Sequence, residues 1–284
     1  MFVQRSIVQL TITYNTFELA AYPRIAVWPS DERFIDAASK IAKELNLPIP
    51  DYSTGGKDLS NFDFFLEVSN EGLILRQFDS KLKFSINFSD NSIKHRVRSN
   101  RSELLGRAIG VKNGYSKHVV DGTAGFGTDS FILANLGCSV TLCERNFVIA
   151  EMLGHAIESA KHSSEQWLAE SASRMFLVRN DLRTLSLEIL DHVDAIYLDP
   201  MFPQKRNNAA SKKEIELLKS LQPPAFSELE HEDLLEWALG QKVGRVVFKR
   251  PIRSKPVGKR SPSHQLFGKI IRYDVYQISG KEFQ

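Results

Sequence analysis

The sequence predicts an α/β protein with a mainly parallel sheet and a small N-terminal α+β domain in front of it. Three observations predict this. From His118 onward, short apolar runs alternate with stretches of helical spacing, the rhythm of a sheet covered by helices on both faces. A glycine-rich turn, Asp121-Gly122-Thr123-Ala124-Gly125-Phe126-Gly127, follows directly on the first of these runs. The first 95 residues lack that rhythm and read as a helix among short strands.

In that first stretch, Ser30 or Asp31 is placed to cap a helix with Phe34, Ala37, Ala38, Ile41, Ala42 and Leu45 at helical spacing. Prolines at 48 and 50 are expected to end it. FDFFLEV, GLILRQF and LKFSINF then read as strands separated by SNEG and DSK turns. A basic segment follows (Lys94, His95, Arg96, Arg98, Arg101), and then a helix through Leu104, Leu105 and Ala108 with Gly110 as its C-cap. The expected division is residues 1–92 and 93–284.

Beyond it, HVVD, SVTLCE, MFLVRND, DAIYLDP and RVVFKRP read as five successive strands, and KIIRYDVYQI as a long terminal one. DSFILANLG is a helix ending at Gly137, and Ile149, Met152, Leu153, Ala156, Ile157 and Ala160 mark one face of the next. SKKEIELLKSLQ and ELEHEDLLEWALG are also helical. In such a sheet, ligands lie outside the carboxyl ends of the strands.

Composition bounds the function. The chain has 284 residues, 42% hydrophobic and 25% charged, ordinary globular values that exclude a disordered or fibrous chain. No apolar run approaches the roughly 20 residues of a membrane-spanning helix, and the N-terminus lacks the apolar core of a secretory signal. Cys138 and Cys143 form neither a disulfide framework nor a zinc set, and no histidine pair has metal-ligand spacing. A cytoplasmic protein without a metal is expected. Net charge is +3, yet residues 241–260 hold eight Lys or Arg and no acid. Elsewhere 34 acidic residues face 29 basic ones, so the basic stretch suggests a phosphate-bearing partner, with a solvated loop as the alternative.

The polar signatures sit at strand ends. In the glycine-rich turn, Asp121, Gly125 and Gly127 are candidate cofactor-binding residues: the glycines let a cofactor approach the backbone, and the next helix presents free N–H groups. The order G-x-x-G-x-G is not the dinucleotide fingerprint. Glu144 ends the second strand 23 residues after Asp121, where a carboxylate accepts both ribose hydroxyls; a carboxylate merely preceding a helix is the alternative. Asp181, at the third strand's end, suits either an adenine amino group or a turn cap. Asp199-Pro200-Met201-Phe202-Pro203 is a stiff turn after the fourth strand. Its carboxylate and a carbonyl can accept an exocyclic amine, and Phe202 offers a stacking face; a structural turn with a buried phenylalanine is the alternative.

With these residues in place, the chain resembles the S-adenosylmethionine-dependent methyltransferases that act on amino nitrogens, with Met201 where that class usually has a second proline. More closely, it resembles the bacterial 16S (small-subunit) ribosomal RNA guanine-N2 methyltransferase J family. The resemblance is carried by HVVDGTAGFGTDSFILANLGC, ERN, YLDPMFPQK with the downstream KKE, and RVVFKRP. It implies a Rossmann-like sheet with an antiparallel terminal strand, S-adenosylmethionine as cofactor, and 16S ribosomal RNA or the small ribosomal subunit as partner. It also implies cofactor contacts at Thr128 and Asp129, Glu144 and Arg145, Asp181 and Leu182, and Asp199.

Asp199 would hold and deprotonate the amine, the carbonyl of Pro200 would share its hydrogens, and Phe202 would stack on the base. Lys205, Arg206, Lys212, Lys213, Lys249, Arg250 and Arg253 are read as phosphate contacts. The chain departs from the family at Thr128, where relatives usually have arginine, and at VRSNRSE (97–103), where they favour glycine. The turn also reads DGTAG where DATAG is more usual. The competing readings are an amino-methyltransferase for DNA adenine or a protein glutamine, a nicotinamide oxidoreductase, and a non-catalytic RNA-binding module.

Overall fold

Asp31 starts the first helical segment by accepting the Arg33 N–H at 2.9 Å, which caps a single 3-10 turn over Glu32–Phe34. The computed structural model describes residues 23–278 apart from 99, 113–115, 201–220 and 222–227. Helix α1 (Ile35–Leu45) continues from that turn and buries Ala38, Ile41 and Ala42. It stops earlier than the prolines require. Asn46 takes the left-handed conformation (φ 52°) and its N–H returns to the carbonyls of Ala42 and Lys43. Pro48 instead offers its carbonyl to the N–H of Val27 at 2.9 Å.

Among the described residues, eleven strands form two sheets. The first joins β1 (Ile25–Pro29), β2 (Phe64–Ser69), β3 (Gly72–Gln77) and β4 (Lys83–Ser85) in that order, with β1 and β2 parallel and the rest antiparallel. Alternation in β2 buries Phe64, Leu66 and Val68 on one face. Helices α2 (Asn91–Val97) and α3 (Asn100–Ile109) lead to the second sheet, and Gly110 ends α3 at φ 78°.

The second sheet contains β5 (His118–Asp121), β6 (Ser139–Cys143), β7 (Met175–Val178), β8 (Ala195–Leu198), β9 (Arg245–Pro251), β10 (His264–Phe267) and β11 (Ile271–Gln277). Their order is β10-β11-β9-β8-β5-β6-β7. The five strands from β9 to β7 are parallel, and β11 and β10 close the edge antiparallel. The remaining helices are α4 (Thr128–Asn135), α5 (Phe147–Lys161), α6 (Gln166–Ala172), α7 (Leu187–Leu190) and α8 (Glu228–Leu239). Helix α6 and strand β10 were not expected from the sequence. The expected helix over 211–222 lies outside the described residues except for Leu221.

Strand alternation fills a core on each face of this sheet. Val119, Tyr197 and Val247 face one core, and Val120, Ile196 and Val246 face the other. Both faces are therefore apolar, which is why these strands read as continuous hydrophobic runs. Helix α5 lies between the two sheets. Its Leu153, Ala156, Ile157 and Ala160 join the core of the large sheet, while Val148, Ile149 and Met152 join that of the small one. No helix among the described residues is long and apolar enough to cross a membrane.

Candidate active site

The strand order changes direction at β5, which is flanked by β6 on one side and β8 on the other. A crevice opens outside the carboxyl ends at such a switch point. The glycine turn, Glu144 and Asp199 all stand there.

The turn is built by its own neighbours. Ala124 N–H donates to the carbonyl of Cys143 at 3.0 Å, and Gly125 N–H donates to Glu144 Oε2 at 2.8 Å. The other oxygen of Glu144 accepts the Asn146 N–H at 2.7 Å. Burial pushes the Glu144 carboxyl up, and these backbone donors oppose it. Each carboxylate oxygen keeps a second lone pair for a hydroxyl donor.

The two later glycines differ. At Gly125 (φ 53°), a Cβ would meet nothing closer than the Thr123 carbonyl at 4.0 Å, so the left-handed backbone faces open space. At Gly127 (φ 70°), a Cβ would strike Leu153 at 2.6 Å, so that glycine serves packing against α5. Gly122 is tight as well: a Cβ there would come within 2.4 Å of Leu182 Cδ2 and 2.9 Å of Leu198 Cδ2. Leu182 is thus a buried prop beneath the turn.

Asp121 turns inward. It is buried and accepts the Ser130 hydroxyl at 2.5 Å and the Thr123 N–H at 3.1 Å, so it shapes the turn rather than lining the crevice. Burial pushes its carboxyl up to about 7 against those hydrogen bonds. Asp181 caps a turn, and its carboxylate receives the Arg183 N–H and both Nε and Nη2 of the Arg183 guanidinium at 2.8–2.9 Å. Burial works to raise Asp181, but the Arg183 bonds and charge win and hold it low. Arg145 lies 3.8 Å from Asp181 and pairs with Glu230 of α8. These groups rim the crevice beside β6 and β7. Thr128, half-buried, opens α4 directly after Gly127.

A charged chain crosses the other side. Lys249 Nζ donates to Asp129 Oδ2 at 2.6 Å and to Asp199 Oδ2 at 2.7 Å. Arg96 Nη2 reaches Asp129 Oδ1 at 2.7 Å, and the Tyr197 hydroxyl donates to Asp129 Oδ2 at 2.6 Å. Burial alone would raise Asp129, but Lys249 and Arg96 hold it well below the carboxylate range. Burial likewise works against the Lys249 ammonium, and the two carboxylates overcome it and push it up. The backbone of Asp199 is also held, its N–H donating to Thr123 Oγ1 at 2.7 Å, and Pro200 is buried directly after it.

The Asp129 carboxylate is engaged inside this chain of charges. Two expectations are corrected here. Lys249 is not a surface phosphate contact, because its ammonium is paired twice and its side chain is only 17% exposed. Arg250 is buried too: Nη2 donates to the Lys255 carbonyl at 2.8 Å and Nε to Ser254 Oγ at 3.1 Å, which ties down the loop after β9. Arg253 remains exposed on that loop with Lys255 and Lys259. Phe202, Lys205, Arg206, Lys212 and Lys213 lie outside the described residues.

Tyr197, Arg96, Thr123 and Ser130 are site residues for which the sequence reading assigned no role. A period-two signal was available for Tyr197, which stands two residues before Asp199 and so on the same face. Register explains the central pair, since Leu198 pairs with Phe248 and brings the next residues, Asp199 and Lys249, side by side.

The arrangement offers an open glycine backbone, a ribose-competent carboxylate at β6 and a fixed carboxylate at β8 within one crevice. Comparison with known proteins agrees with it. The family model for SAM (S-adenosylmethionine)-dependent methyltransferases matches residues 56–278, starting ahead of β2 in the small sheet. Ribosomal RNA small subunit methyltransferase J of Thioalkalivibrio sulfidiphilus is 37% identical over 257 residues, which cover 89% of this chain and 97% of that protein. The protein of that name from Agrobacterium fabrum is 40% identical over 200 residues, covering 69% of this chain and 93% of its own. A crystal structure of a SAM-dependent methyltransferase from Neisseria gonorrhoeae shares the fold, with a TM-score of 0.68 and 24% identity over 91% of this chain and 99% of that one. An open cradle at Gly125, carboxylates following β6, β7 and β8 and relatives matched along most of their length converge on one assignment: this chain belongs to the SAM-dependent methyltransferases, within the ribosomal RNA small subunit methyltransferase J family.

Proposed function

We propose that this chain transfers a methyl group from S-adenosylmethionine to the exocyclic N2 of a guanosine in 16S ribosomal RNA. The observation that carries the reading is Asp199. Its backbone is bound to the glycine turn through Thr123 and its carboxylate to Lys249, at the tip of the strand beside the cofactor loop. The cofactor, when bound, supplies an electrophilic methyl group on a sulfonium. Gly125, Thr128, Glu144, Arg145 and Asp181 are the residues that would hold it. The open left-handed backbone at Gly125 fits close approach, and the buried carboxylate of Glu144 fits a ribose diol.

The protein's own task is alignment and proton handling. The guanine amino lone pair is delocalised into the ring, so the nitrogen becomes a nucleophile as its proton departs. Asp199 accepts a hydrogen bond from that amine and takes the proton as positive charge develops on nitrogen. The Pro200 carbonyl shares the amine's hydrogens, and Phe202 stacks on the base. Arg253, with Lys255 and Lys259 beside it, meets the RNA backbone from the loop after β9. A ribosomal RNA substrate implies a cytoplasmic enzyme. The division into a small domain (1–92) and a methyltransferase domain (93–284) is supported by strand pairing, which keeps β1–β4 apart from β5–β11.

The test is transfer of tritiated methyl from S-adenosylmethionine to small ribosomal subunits lacking the modification, followed by nucleoside analysis. Labelled N2-methylguanosine is expected. Label in a different nucleoside moves the acceptor. Label only in DNA or protein substrates overturns the ribosomal reading.

A further inference from the structure

We propose that Lys249 is a positioning residue for methyl transfer: anchored by Asp129, it orients the Asp199 carboxylate and keeps it ionised as the proton acceptor. The inference rests on the reading of Asp199 given above. It assigns to Lys249 a role that a basic residue in a basic stretch does not suggest, since its neighbours Arg253 and Lys255 are exposed and it is not.

Among the described residues, the charged and titratable groups of the network that ends on Asp199 come from six elements. Lys249 stands on β9, Asp129 on α4, Arg96 on α2, Tyr197 on β8, Tyr273 on β11 and Asp121 on β5. Both tyrosines are pushed up, first by burial and then by the carboxylates around them, so they stay neutral. The remaining charges of the chain alternate as Arg96, Asp129, Lys249 and Asp199, joined by contacts of 2.6–2.7 Å. Each of the two carboxylates touches a cation, which a charge withdrawn from water requires.

Exposure is lowest in the middle of the chain: the side chains of Asp129 and Lys249 are 12% and 17% exposed, those of the end members Arg96 and Asp199 35% and 34%. The network is thus enclosed at its centre, and one of its two open ends is the acid. A lysine suits this position because its ammonium has several donors and can serve carboxylates from two elements at once. It also removes the cost of holding Asp199 ionised near Asp129, a second carboxylate that would otherwise favour its protonation.

The chain has a testable polarity. Removing the ammonium in Lys249→Met raises the proton affinity of Asp199, because an opposing charge is lost and the negative Asp129 remains. Removing the carboxylate charge in Asp129→Asn lowers it, because Lys249 then attends Asp199 alone. A merely structural part of the fold does not move two pH profiles in opposite directions.

The experiment measures kcat and the KM for RNA between pH 5 and 9 for wild type, Lys249→Met, Asp129→Asn and Asp199→Asn, with cofactor binding by calorimetry as the check on folding. For Lys249→Met, we expect kcat at neutral pH to fall at least about tenfold, with the RNA KM little changed. Its acid limb should move up by about 1–3 pH units. For Asp129→Asn, the acid limb moves down. If Lys249→Met instead raises the RNA KM, weakens its salt dependence and leaves the acid limb in place, Lys249 is a phosphate contact and the inference is overturned. If Lys249→Met does not fold, the Asp129→Asn profile decides: an unmoved limb or an upward shift overturns the inference. Asp199→Asn separates the two levels. Retained activity there removes the reading of Asp199 itself, whereas lost activity beside an unmoved Lys249→Met profile removes only the role of Lys249.

Discussion

Thr123 Oγ1 accepts the backbone N–H of Asp199 at 2.7 Å, and this bond joins the glycine turn after β5 to the end of β8. The loop proposed to hold the cofactor and the acid proposed to hold the amine therefore move as one unit. Replacing Thr123 by valine keeps the shape but removes the acceptor and leaves the Asp199 N–H without it. An unfolding free energy lower by about 1–3 kcal/mol is expected. Because alignment is what the site supplies, kcat should fall more than cofactor affinity. Urea titration and methyl-transfer kinetics on the same preparation check both statements.

Gly122 and Leu182 form a second dependent pair. A Cβ on Gly122 would stand 2.4 Å from Leu182 Cδ2, and Leu182 is itself fully enclosed. Gly122→Ala should cost about 1–3 kcal/mol as an overpacked site. The double variant Gly122→Ala with Leu182→Val should recover part of that loss, whereas equal or greater destabilisation of the double would show that the clash is not the cause. Thermal unfolding of Gly122→Ala, Leu182→Val and the double variant gives the comparison.

Asp121 makes stability depend on pH in a particular direction. Its folded carboxyl is pushed up to about 7, above the ordinary value of 3.8. Between those values, the unfolded chain has released this proton while the folded chain holds it. Stability from this group is thus fully present below pH 4 and declines as pH rises toward 7. Asp121→Asn removes the titration, so the difference in unfolding free energy between variant and wild type should shift in the variant's favour from pH 4.5 to pH 7.5. A difference that does not change over that range would contradict the assignment.

The cations after β9 divide into two roles with separate readouts. Arg253 is exposed, and Arg253→Ala should weaken RNA binding and reduce the slope of log affinity against log salt by about 0.7 for single-stranded RNA. Arg250 is buried on the Lys255 carbonyl and Ser254 Oγ, so Arg250→Ala should lower thermal stability first. Salt-dependent binding isotherms and melting curves distinguish them.

Much of the fold was legible because period and punctuation are local. The strands that lead into Asp121, Glu144, Asp181 and Asp199 could be read from apolar runs, although β7 stops at Val178, ahead of the expected Asp181, and the second glycine of the turn marked the open backbone at Gly125. Other features were not legible for physical reasons. Prolines 48 and 50 looked like the stop for α1, yet Asn46 had already closed it by entering the left-handed region. Strand β10 has half-exposed, weakly alternating side chains (His264 to Phe267), and only its pairing with β11 makes it a strand.

The sequence by itself determined the alternation of strands and helices, the glycine turn and the acids at the strand tips, because each depends on residues close together in the chain. Tertiary structure decided which charges are spent and which are presented. Arg96, Asp129 and Lys249 stand far apart in sequence and lie on separate elements, and strand register sets Lys249 beside Asp199. A lysine in a basic stretch reads as a surface cation. Buried between two carboxylates, it belongs to the interior, because only paired charges are stable once water is excluded.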